Sequence, residues 1–131
     1  MNNPGKYILT TSAVIYLIFG LSISFFPQET GRIFGTASQY GIDLLLMKVV
    51  GGLFFGFGVT NFMSRNSVVG GIYGRPITLG NAMINLIIAG QFLKFNFLQD
   101  GVGGHFWIVA ILFSAMALSF IYLFLKAPKA E

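Results

Sequence analysis

Long apolar runs alternate with short polar breaks along the chain, and four of the runs, residues 7–26, 44–63, 77–97 and 106–125, each extend for 20 residues or slightly more. At a rise of ~1.5 Å per residue, ~20 helical residues cross a hydrocarbon core of ~30 Å. The first and fourth runs contain no charged residue, the second only Lys48 and the third only Lys94. Almost nothing is left over for a soluble domain. The pattern predicts an all-α integral membrane protein whose residues 1–131 form a single transmembrane domain. Short connections make successive helices antiparallel neighbours, so the predicted topology is an up-down-up-down four-helix bundle.

Turn chemistry falls where these helices must end. Pro27 follows the first run, and Gly31, Gly35 and Gly41 punctuate the longest connection, where a short interfacial helix is expected around residues 30–34. The second connection holds Asn66, Gly70, Gly71 and Gly74, and Pro76 suits the first turn of the third long helix. The third, residues 96–105, is polar and glycine-rich. The first run is too long for a signal-peptide core of ~7–15 residues and ends in Phe25-Phe26-Pro27 rather than a small-residue cleavage site. It is read as a retained helix.

Composition sharpens the picture, because only 9% of residues are charged, against about a quarter in a soluble domain. The charges also segregate. The two termini and the second connection carry Lys6, Arg65, Arg75, Lys126 and Lys129 against Glu131, a net +4, while the other side balances Arg32, Lys48 and Lys94 against Glu29, Asp43 and Asp100. The positive-inside rule then puts both termini in the cytoplasm. A basic inner face is the ordinary state of a membrane protein, so the partner implied is the lipid bilayer and not nucleic acid.

Candidate chemistry is sparse. With no cysteine, one histidine (His105) and four acids, metal ligands are few and no metal site or cofactor is expected. No nucleophile elbow, zinc helix, phosphate loop or dinucleotide fingerprint is present, and the chain is read as not an enzyme. His105 and Trp107 read as residues of an interfacial belt. On the second run, Gly52 and Gly56 form a small-xxx-small motif, read first as packing against a neighbouring helix of the chain and second as a homodimer seam. Lys48 heads the stripe Lys48, Gly52, Gly56, Thr60, which places it along that packed face unless it snorkels to the headgroups. On the third run Thr78, Asn81 and Asn85 share a face, with Gln91 further along. Together with Asn61 and Ser119, Asn81 and Asn85 are expected to form a hydrogen-bonded interhelical cluster or a small polar pocket.

The arrangement of Gly20, Pro27 and Gly35, then Lys48-Val49-Val50-Gly51-Gly52 with Gly56, Gly58 and Arg65, then Leu79-Gly80-Asn81, resembles the small four-helix bacterial membrane proteins allied to the DoxX-like group. The resemblance implies a four-helix bundle in a bacterial inner membrane. It implies no set of catalytic residues, and an electron-transfer accessory role is open to it. Two functions are therefore expected to compete. One is a non-enzymatic accessory or lipophile-binding bundle, as a homo-oligomer or within a larger membrane complex. The other is an oligomeric channel or transporter for an anion or small neutral solute, lined by Lys48, Gln91 or the Asn81–Asn85 face.

Overall fold

A computed structural model describes residues 3–35, 41–66 and 74–126. Gly70, Gly71, Lys129 and Glu131, used above, lie outside the described residues. Five helices follow in order: α1 (Pro4–Phe25), α2 (Pro27–Ile33), α3 (Ile42–Ser64), α4 (Gly74–Leu98) and α5 (Gly104–Lys126). All but α2 are long and apolar enough to cross a membrane. The all-α membrane architecture read from the apolar runs is the one observed, and α2 takes the place expected for a short helix. Each long helix exceeds its apolar run, because helical backbone continues into polar residues once the first turn is formed.

The breaks have identifiable causes. The residue before a proline is steered away from helical ψ, and Phe26, ahead of Pro27, sits at φ −123° and ψ 51°. That ends α1 and starts α2 with proline in its first turn, where no N–H is needed. The Thr30 hydroxyl donates to the Ser22 carbonyl at 3.2 Å and ties α2 to the last turns of α1. Gly41, at φ 99°, precedes α3, and Gly101, at φ 76°, makes the turn between α4 and α5. Both angles lie in the region where a side chain is strained.

The chain divides into two compact units. The first, Leu9–Asn66, holds most of α1 together with α2 and α3. Here α1 and α3 approach until their backbones nearly touch. A Cβ at Gly20 would lie 2.6 Å from the Phe55 amide nitrogen and 2.9 Å from the Gly51 carbonyl, and one at Gly51 would lie 2.7 Å from the Ser24 amide nitrogen. At Gly58 a Cβ would lie 3.0 Å from the Leu17 amide nitrogen and still closer to its side chain. Between the glycine contacts Phe54 packs its ring 5.6 Å from that of the fully buried Tyr16 and 5.9 Å from that of Phe19. The packing face of α3 is therefore Gly51, Phe54, Gly58 and Asn61, spaced three, four and three residues apart, which keeps them on one side of a helix.

The second unit comprises Met1–Ile8 and Ser67–Glu131 and so contains α4 and α5. The two run antiparallel about the turn at Gly101: Phe106, in the first turn of α5, stacks at 5.1 Å on Phe95 and 6.2 Å on Phe92 near the end of α4. The buried face of α5 is apolar (Val109, Ala110, Phe113, Met116, Ala117, Phe120, Leu123). Among the buried residues of α4 only Ala82 and Ala89 are apolar; the rest are Thr78, Asn81, Asn85 and Asn96.

Candidate functional site

The candidate residues fall into a buried polar group and an open stripe. Asn61 is fully buried, and its side-chain nitrogen donates to the Ser12 hydroxyl at 3.0 Å, which in turn donates to the Leu9 carbonyl at 3.0 Å. This chain of donors joins α3 to α1 inside the first unit. In a lipid-facing protein a buried amide needs such a partner, since hydrocarbon offers none. Ser12 was not anticipated. The only signal for it is a polar triplet, Thr10-Thr11-Ser12, inside an apolar run.

Asn81 and Asn85 are both buried on α4, and each turns its nitrogen back along its own helix, Asn81 to the Ile77 carbonyl at 2.9 Å and Asn85 to the Asn81 carbonyl at 2.7 Å. Thr78, buried on the same face, donates to the Gly74 carbonyl. Ser119, expected with them, donates to the Ala115 carbonyl of α5 at 2.8 Å. Back-bonding of this kind satisfies a donor locally and lets a polar residue sit within a span. The structure thus joins Asn85 to Asn81, and Asn61 to Ser12.

Within the first unit, Gly52 and Gly56 do not form the contact with α1. A Cβ at either would meet, among the described residues, no atom of another helix within 4 Å, and both glycines are exposed. The seam with α1 runs through Gly51 and Gly58, one position from Gly52 and two from Gly56, and each step along a helix turns the side chain by about 100°. Lys48 and Thr60 are exposed with them, outside the contact between α3 and α1. Gln91 is exposed on α4. A lysine in the second turn of a span that already projects from the protein reaches the headgroups along its own methylene stem. Lys48→Met is accordingly expected to leave the melting temperature unchanged in detergent and in bilayers, and a clear drop would reveal a partner for the ammonium.

At the α4–α5 turn, Asp100 is exposed and His105 lies 4.5 Å from the Phe106 ring, while Trp107 meets Phe97 edge-on at 5.4 Å. This cluster of rings at a span end is the arrangement an aromatic belt requires. Among the described residues no three His, Cys, Asp or Glu side chains come together.

No family model, no curated protein and no solved structure matches the chain. The likeness to the DoxX-like group rests on its residues alone.

Proposed function

We propose that this small multi-pass membrane protein is a non-enzymatic accessory subunit of a bacterial inner membrane that works as a homo-oligomer, its protomers joined through α3. The observation that carries this is the line Gly52, Gly56, Thr60, which α1 does not cover within the first unit: its members are exposed, and a Cβ at either glycine would meet no atom of another helix among the described residues of that unit within 4 Å. In lipid, helices associate by close backbone approach at small residues, and a line of them on one helix is complementary to the same line on a second copy. Burial supports the reading as well: α3 buries only Gly51, Gly58 and Asn61, whereas α5 buries seven residues. The Thr60 hydroxyl is held at 2.9 Å by the Gly56 carbonyl, which keeps the stripe smooth.

Because the chain has no cysteine, introduced thiols report without background. Gly56→Cys is expected to give a disulfide-linked dimer on mild oxidation in native membranes, while a cysteine at the exposed Ile111 of α5 gives none. Absence of the Gly56→Cys dimer would sink the seam, and an adduct of another mass would assign it to a different protein. In the same series Gln99→Cys, beside the α4–α5 turn, should react with an impermeant thiol reagent from outside the cell, since the proposed topology keeps both termini cytoplasmic. The exposure of Lys48 favours one alternative, an oligomeric path for an anion or small neutral solute with that side chain as the attracting charge. Solute flux in liposomes that Lys48→Met abolishes would select it.

A further inference from the structure

The side chain that the fold leaves least accounted for is Asn96. It lies near the end of α4 and is 6% exposed, and neither its amide nitrogen nor its amide oxygen has a hydrogen-bond partner. A buried amide with both atoms unmatched is costly in any protein, and more so in a lipid setting where no solvent replaces the lost partner. Every other buried asparagine here has at least one bond from its nitrogen, Asn61 to Ser12 and Asn81 and Asn85 to their own helix. Asn96 takes neither route. Its i−4 residue is Phe92, and both Phe92 and the adjoining Phe95 stack on Phe106 in the first turn of α5. That places the amide in the same layer as three aromatic rings and at the end of a span, where headgroups meet the hydrocarbon. The same layer holds the N-terminus of α5, where the Phe106 N–H donates to the Gly103 carbonyl at 3.1 Å. Phe97 and Leu98, the next residues on α4, are largely exposed.

We infer that Asn96 is the recognition group of a headgroup site for a neutral lipophile, one carrying a carbonyl to accept from the amide nitrogen and a hydroxyl to donate to the amide oxygen. A neutral headgroup is selected because the charged residues nearest to it along the chain, Lys94 and Asp100, are both exposed and one of each sign. The rings of Phe92, Phe95 and Phe106, the first two tilted by 42° and 33° against the third, supply apolar surface for the adjoining acyl chain. The site is independent of the α3 seam, so the two readings fail separately: loss of lipid response leaves the Gly56→Cys dimer intact.

The test uses the purified full-length chain in detergent, with monoolein as the probe and 1-octadecene, which has neither carbonyl nor hydroxyl, as the control. Monoolein is expected to raise the melting temperature by several degrees and octadecene to leave it unchanged. Asn96→Leu, close in volume, is expected to melt no lower than the parent chain and to lose the monoolein response, and Asn96→Ala to lose the response as well. Three results would each overturn the site: no response in the parent chain, an equal response in both variants, or an Asn96→Leu protein that melts well below the parent because the amide had a structural partner.

Discussion

Gly20→Ala is expected to force α1 and α3 apart and to unfold the first unit at markedly lower temperature or denaturant than the parent chain. One methyl group is enough because the atoms it would meet are backbone, the Phe55 nitrogen at 2.6 Å and the Gly51 carbonyl at 2.9 Å, and backbone in a helix cannot rotate out of the way. Overpacking a well-packed interior costs about 1–3 kcal/mol where side chains can adjust, and a backbone clash belongs at or above the top of that range. Gly51→Ala should behave alike, since its Cβ would press on the Ser24 backbone and hydroxyl. Gly56→Ala provides the contrast: with no atom of another helix within 4 Å among the described residues, it should leave the α1–α3 pair as stable as in the parent chain. Unfolding of the four proteins by denaturant titration in mixed micelles checks the set, and a Gly20→Ala protein as stable as Gly56→Ala would refute the seam.

Tyr16→Ala is the second large effect. The ring is fully buried, 5.6 Å from Phe54 and 6.4 Å from Phe57, so truncation removes the piece that fills the space between α1 and α3 where the glycines have drawn them close. Truncating a buried aromatic to alanine costs about 3–5 kcal/mol through lost contacts and the cavity left behind. Tyr7, on the same helix but 62% exposed, should tolerate the same change within about 0.5 kcal/mol. The same titration decides it. Equal losses at the two positions would mean that the α1–α3 pair is held by something other than this packing.

The two predictions act on one seam, and the seam shows why part of the site was legible and part was not. Four glycines occur between positions 51 and 58. The spacing of four between Gly52 and Gly56 is the recognised small-xxx-small signal, but the spacing of seven between Gly51 and Gly58 brings a residue back to the same face after two turns just as well. A sequence holding both patterns does not state which line meets the neighbour. The partner's shape chooses, and here Gly20 and Leu17 of α1 face the second line. The first line is then left open, which turned an expected internal contact into the basis of the proposed oligomer.

The polar residues divide in a similar way. That Asn61, Asn81 and Asn85 would be buried followed from their place inside apolar runs, because an amide in a span seeks a partner wherever the helix turns it. The hydroxyl that meets Asn61 belongs to Ser12, 49 residues away, and nothing in local spacing connects the two. Asn96 had been placed in the polar connection beyond the third run, since hydropathy falls there. The helix nevertheless continues to Leu98 and carries it inward.

The sequence by itself determined the environment, the number of spans and where each span breaks. These follow from free energies that each segment carries alone: the transfer of about 20 apolar residues into hydrocarbon, the closure of backbone hydrogen bonds within a helix, and the local veto of Pro27 and the positive-φ glycines. Only the tertiary structure decided which face of α3 is covered, which hydroxyl Asn61 finds, and that the Asn96 amide is enclosed without a partner. Those depend on the rotation and depth of one helix against another. In a membrane that choice is made by packing between segments of equal hydrophobicity, and a chain whose faces are nearly all apolar leaves little trace of it in its pattern.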